Sequence, residues 1–221
     1  MKTRQPRRTP LLWQTYHRLR FTILFYMLLL FLLMMPIVTT FGWPGLFMRL
    51  QVGACLLAAV LPNATRRTWL AMVVALSLLV LVQIVPEVSL SVDPAFVLAL
   101  TALTLLAAAA GALRFAVKTK TVTGETVYAA LSTYLLAGIS FGQIYWLVET
   151  IHAGSLAGPA TFSEPNAVYF SFVTLATLGY GDFLPQTAIT RGIATFEVIG
   201  GQLFLAVLVA RLIGVFGSKE P

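Results

Sequence analysis

Between two long apolar segments the chain reads Thr177-Leu178-Gly179-Tyr180-Gly181-Asp182. A glycine in place of alanine costs a helix roughly 1 kcal/mol, so two glycines bracketing one tyrosine point to a backbone that is not helical. Gly179 and Gly181 are free to take positive φ, which bulkier residues avoid. Residues of that kind in alternation let successive carbonyls face the same way, which a regular strand forbids. A row of carbonyls along one axis is a ladder of hard oxygen ligands for a dehydrated monovalent cation, and Thr177 adds a carbonyl and a hydroxyl at its inner end. One further group stands out. Glu197 is an ionisable side chain inside an apolar span, where such a residue defaults to a functional role. It either braces the back of the ladder or is a protonated or paired structural carboxylate.

Other chemistries find little support. The single cysteine, Cys55, allows no intrachain disulfide and no zinc site by itself. The two histidines, His17 and His152, fall outside the apolar spans, and no nucleophile, acid/base pair or ligand cluster is gathered. No enzyme activity and no cofactor is expected; the implied ligand is the cation itself.

The elements that must position the ladder follow from composition. The 221 residues are 58% hydrophobic and 10% charged, with mean hydropathy +0.87, whereas a soluble domain carries about 25% charged residues. The chain is therefore expected to be an all-α integral membrane protein. A bilayer core of ~30 Å needs roughly 20 apolar residues per helix, and the candidate spans are Phe21–Phe41, Trp43–Leu61, Thr68–Pro86, Pro94–Val117, Val127–Val148 and Ala188–Phe216. Ahead of them, Leu11–Arg20 mixes Leu, Trp and Tyr with bases and suits an interfacial lead-in helix or a plain basic flank. The fourth span ends in AAAAGALRF, small residues that permit close helix packing. Gly138 and Gly142 form a GxxxG pair, read as packing of the fifth span.

The segment before the glycines differs in kind. Ser163, Glu164 and Pro165 make a helix start, and the apolar run through Thr177 is about twelve residues, or ~18 Å at 1.5 Å each. It cannot cross a bilayer, so it reads as a re-entrant helix whose negative C-terminus faces the mouth of the ladder. Non-helical backbone at that depth is tolerated only where protein buries it or water lines it. One chain supplies one wall, so a symmetric oligomer is implied.

Charge placement gives topology. Lys2, Arg4, Arg7, Arg8, Arg18, Arg20, then Arg66 and Arg67, then Arg114, Lys118 and Lys120 mark alternate loops, which by the positive-inside rule puts both termini in the cytoplasm of a plasma or inner membrane. The net charge of +7 then reflects topology and contact with anionic lipid, and no nucleic-acid or soluble substrate is expected. The sequon at Asn63 falls on the cytoplasmic side. The expected organisation is a basic N-terminus (1–20), a four-helix bundle (21–120), a pore module (121–217) and a short tail (218–221).

TLATLGYGD (Thr174–Asp182) resembles the potassium-channel signature, in which four TVGYG-type loops replace the ion's hydration shell. Leu178 stands where the pattern usually has valine, a change that leaves its carbonyl in place. The resemblance runs from about Tyr134 to Gly214 as span, re-entrant helix, filter and span, and GQLFLAVLVARLIG (Gly201–Gly214) is similar to the inner helix of prokaryotic potassium channels. It implies a homotetramer in which Thr177, Leu178, Gly179 and Tyr180 supply carbonyls to K⁺ and Gly181 lies at the outer mouth. Tyr180's ring should point away from the ion, with Tyr169 and Phe170 as candidates to meet it. Tyr169 either donates a hydrogen bond to Asp182 or is packing. Gly201 matches the family's hinge glycine, with Gly200 beside it easing a bend. Helical spacing then sets Gln202, Leu205 and Val209 on one stripe, either inner cavity or helix-packing surface. Glu149 either anchors the outer loop or is solvated there.

Six spans invite a voltage-gated reading, but the fourth carries only Arg114 near its inner end. A sensor needs several charges, each worth ~2.3 kcal/mol per 100 mV, so weak or no intrinsic voltage dependence is expected. With only Gly217 to Pro221 after the last span, no cytoplasmic ligand domain is expected either. The lead reading is a potassium-selective channel. Its rivals are a non-selective cation channel, a carrier or membrane enzyme, and a non-conducting accessory subunit.

Overall fold

A computed structural model describes residues 11–41, 93–119 and 121–217. The spans expected at Trp43–Leu61 and Thr68–Pro86 lie outside the described residues, as do residues 1–10 and 218–221. The described elements are α1 (Leu11–Thr40), α2 (Pro94–Lys118), α3 (Gly124–Ile151), a two-residue β1 (Leu156–Ala157), α4 (Glu164–Leu175), β2 (Leu184–Pro185) and α5 (Ala188–Gly217). Four helical stretches, Leu19–Thr40, Pro94–Lys118, Gly124–Ile151 and Ala188–Arg211, are long and apolar enough to cross a membrane. The molecule is a multi-pass, all-helical membrane protein with four candidate spans among the described residues.

Local chemistry sets the helix ends. α1 breaks at Leu19 (φ −119°, ψ 16°), which separates a lead-in piece from the span and leaves a fresh helix start with orphan N–H donors. Glu125, in the first turn of α3, takes two of them, Phe21 N at 3.0 Å and Thr22 N at 3.2 Å, together with the Thr22 hydroxyl. A carboxylate there also complements the helix dipole. Arg20 lies over the Phe21 and Phe115 rings at 5.0 and 4.9 Å. Asp93 caps α2 by accepting from Ala95 N at 2.9 Å, with Pro94 leading the first turn. Thr123 and Thr126 form a reciprocal capping box at the start of α3.

The core sits on α3, which contacts α1, α2, α4 and α5. Small side chains let α2 approach it closely. Ala108, Ala109, Ala112 and Ala116 of α2 are buried in one cluster with Ala129, Ala130, Leu136 and Ile139 of α3, and Phe21, Leu24, Leu28 and Phe31 of α1 complete it. α5 is the exception: little of it is buried within the chain.

Candidate functional site

α4 has twelve residues, about 18 Å at 1.5 Å per residue, too short to span. It is held against α3 by the two glycines of GISFG. A Cβ on Gly142 would lie 2.7 Å from the Val168 Cα, and one on Gly138 would lie 2.6 Å from the Phe172 ring. The GxxxG pair is thus the seat of α4. Gln143 of α3 donates to Glu164 at 2.8 Å, tying down the start of α4. Ser163 makes no side-chain cap, so that expected contribution is missing.

The chain then leaves α4 in an alternating conformation. Thr177, Gly179 and Gly181 have φ of +58°, +56° and +79°. The sequence pointed to the two glycines; Thr177 is the added member, and a non-glycine residue in this region is strained and persists only where its surroundings fix it. Those surroundings are the end of α4. Thr177 N donates to Thr174 O at 2.9 Å, and Leu178 N and Gly179 N donate to Val173 O at 2.9 and 3.4 Å. These bonds draw the amides of Thr177, Leu178 and Gly179 back toward the helix. Residues 177–181 are all exposed in the single chain. No cluster of three or more His, Cys, Asp or Glu exists among the described residues.

Past the glycines the chain is fastened to the outer loop. β1 and β2 pair antiparallel, Leu156 opposite Pro185 and Ala157 opposite Leu184. Gln186 N and the Thr190 hydroxyl both donate to Ser155 O, at 2.9 and 3.1 Å. Phe183 is buried edge-on against Phe162, ring centres 5.5 Å apart. Glu149 accepts from Gly154 N at 2.7 Å and Leu156 N at 3.0 Å, so of its two readings the structure selects the loop anchor.

The side chains expected to support the ladder divide. Asp182, more than any other influence, holds the Tyr169 phenol above the ordinary tyrosine pKa. Phe170 does not meet Tyr180 within the chain. It is turned inward, edge-on to Tyr145 at 4.9 Å, because the next position on a helix points about 100° away. Tyr180 is exposed, and among the described residues no ring pairs with it in this chain. Glu197 is fully buried. Its Oε2 accepts from the Tyr145 hydroxyl at 2.8 Å, and its Oε1 lies 2.5 Å from Ser171 Oγ. It thus joins α5 to α3 and to α4.

α5 runs unbroken through Gly200 and Gly201. A Cβ on Gly201 would lie 2.7 Å from Leu175 Cδ1 and 2.9 Å from Leu175 O, whereas one on Gly200 would meet nothing within 4 Å. In this conformation Gly201 is a contact glycine that lets α5 cross the end of α4. Gln202, Leu205 and Val209 are exposed, while Phe204 and Leu208 face the chain's own core.

Sequence reasoning missed Ser171, Tyr145 and Arg211. The signal for the first two was Glu197 itself, since a buried carboxyl demands polar partners on facing helices. Arg211, on α5, donates to the Ala116 and Thr119 carbonyls at the end of α2. A cation is favoured at that helix terminus, but no sequence spacing announces the pairing.

The sequence pattern of a family described as "Ion channel" matches residues 101–217. Two-pore potassium channel 2 of Arabidopsis thaliana is 32% identical over 94 residues, covering 42% of this chain and 19% of that protein. Two-pore potassium channel 3 of the same plant is 29% identical over 86 residues (39% and 18%), and Two-pore potassium channel 4 is 31% identical over 88 residues (40% and 30%). The match takes in less than a third of each relative's own length. No solved structure matches the chain at comparable significance.

Proposed function

The chain belongs to the ion-channel family whose pattern spans residues 101–217, and from that membership we propose that it is a potassium-selective channel conducting K⁺ passively through a filter of four copies of Thr177–Gly181. The carrying observation is the alternation of left-handed backbone at Thr177, Gly179 and Gly181 at the end of a helix too short to span. A backbone so alternated presents carbonyls at successive levels, each able to replace part of the ion's hydration shell. In this reading Thr177, Leu178, Gly179 and Tyr180 coordinate K⁺ and Gly181 forms the outer mouth. Tyr169, Asp182 and Glu197 hold the filter from behind, while Phe170 acts indirectly by anchoring α4.

The exposure of residues 177–181, and of Gln202, Leu205 and Val209 on α5, supports a homotetramer with those three lining the inner cavity. Residues 121–217 act as the pore module behind a bundle formed by 21–120. Arg114 is the only arginine in α2, which favours weak voltage dependence. The termini are placed in the cytoplasm of a plasma or inner membrane, with anionic lipid against the basic flanks.

The test is reconstitution of the purified protein and measurement of the reversal potential under asymmetric K⁺ and Na⁺. A potential that follows the K⁺ gradient is expected. One that follows the total cation gradient identifies a non-selective channel, and a current-free protein points to an accessory subunit.

A further inference from the structure

The network around Glu197 carries a proton count. Ser171 Oγ lies 2.7 Å from Gly138 O and 2.5 Å from Glu197 Oε1. A serine hydroxyl has one proton to donate, and a carbonyl can only accept. If Glu197 were a carboxylate, two acceptors would compete for that single hydrogen, and one buried contact would be a repulsive pair of oxygens. A neutral carboxylic acid satisfies every contact at once. Glu197 Oε1–H donates to Ser171 Oγ, Ser171 Oγ–H donates to Gly138 O, and Tyr145 O–H donates to Glu197 Oε2.

The surroundings agree with a neutral acid. Glu197 has no exposed surface in the single chain, so a neighbouring copy has no access to it. Among the described residues neither Arg nor Lys is a partner of Glu197. The titratable groups facing it are Tyr145 and, more distantly, Tyr134, both on α3; α4 presents Ser171. A buried carboxylate without a cation is costly.

We propose that Glu197 is a positioning residue that works as a protonated acid, its proton completing a hydrogen-bond relay from α5 through Ser171 of α4 to the Gly138 carbonyl of α3. The relay sits two residues before Val173, whose carbonyl receives the Leu178 and Gly179 amides. It therefore fixes the helix turn from which the ladder hangs. Ionisation of Glu197 removes the one proton the relay needs, releases Ser171 from Gly138 or from Glu197, and loosens the end of α4.

The functional consequence rests on the potassium-channel reading; the protonation state does not. Full-length protein in lipid vesicles is compared as wild type, Glu197→Gln and Glu197→Ala. Glutamine reproduces the neutral acid, with its N–H toward Ser171 and its C=O toward Tyr145. It should keep K⁺ flux near wild type, while alanine, which leaves buried donors and acceptors unpaired, should lower it by about tenfold or more. Wild-type flux should fall at alkaline pH, and that fall should vanish in Glu197→Gln. Infrared spectra should show a carboxylic-acid C=O band at neutral pH in the wild type that is missing from Glu197→Gln. Absence of that band, an alkaline fall that persists in Glu197→Gln, or a glutamine variant as impaired as the alanine would each overturn the proposal. A protein that shows the band but conducts nothing in any variant refutes the channel reading and leaves the protonated acid standing.

Discussion

Replacing Gly142 by alanine tests whether the seat of the pore helix is as tight as the geometry requires. The new Cβ would lie 2.7 Å from Val168 Cα, 2.8 Å from Val168 Cγ2 and 3.1 Å from the Val168 backbone nitrogen. Two of those atoms are backbone, so no rotamer change relieves the collision. Going from 2.7 Å to the 3.4 Å of ordinary contact parts α3 and α4 locally by about 0.7 Å. Overpacking of this kind costs ~1–3 kcal/mol, against a helix-propensity gain of up to ~1 kcal/mol for any such glycine-to-alanine change. Gly192→Ala is the reference, since nothing lies within 4 Å of its added Cβ. The propensity gain is shared, so the difference between the two variants isolates the collision, with Gly142→Ala the less stable by ~1–3 kcal/mol. The assay is equilibrium unfolding of both proteins in the same mixed micelles, followed by near-UV circular dichroism, with K⁺ flux from vesicles as the functional readout. Gly142→Ala should also lose flux, because the shift moves Val173 and the amides bound to it. If Gly142→Ala matches Gly192→Ala in stability and conducts like the wild type, the backbone contact at Val168 is not what seats α4. Gly138→Ala should be milder, since its Cβ meets the outer edge of the Phe172 ring, which can turn aside.

Two further outcomes follow. The Tyr169 phenol is held above its ordinary pKa chiefly by Asp182; a raised value in the folded state means that the stability this interaction contributes is complete below the ordinary tyrosine range of about 10 and is lost as pH rises through the folded-state value. Ultraviolet titration should show one fewer late-ionising tyrosine in Tyr169→Phe than in wild type, and the phenylalanine variant should lose conduction sooner during sustained recording. Arg211→Gln removes the charged donor from the Ala116 and Thr119 carbonyls, interactions worth ~1.5–3 kcal/mol each when the donor is charged. Amide hydrogen exchange should rise at the end of α2 and in residues 121–123, and unchanged exchange there would show that Arg211 does not latch the two helices.

Much of the site was legible in the sequence because its determinants are local. The φ > 0 requirement is written into Gly179 and Gly181, and the length of the run before them limits what that helix can do whatever surrounds it. The spans at α1, α2, α3 and α5 follow from hydropathy, which is a property of consecutive residues. Tertiary structure decided everything that depends on which faces meet. It turned Gly138, Gly142 and Gly201 into contact glycines around α4, because only the docking of one helix on another reveals where a Cβ has no room. It gave Thr177 its left-handed backbone through amides tied to the end of α4, a strain that no threonine announces. It turned Phe170 inward, away from Tyr180, and chose the loop-anchoring role for Glu149. It brought Ser171 and Tyr145, 26 and 52 residues distant in sequence, onto Glu197. Sequence can mark a carboxyl that needs partners in an apolar span; which hydroxyls answer, and how many protons they share, is fixed only when three helices close around it.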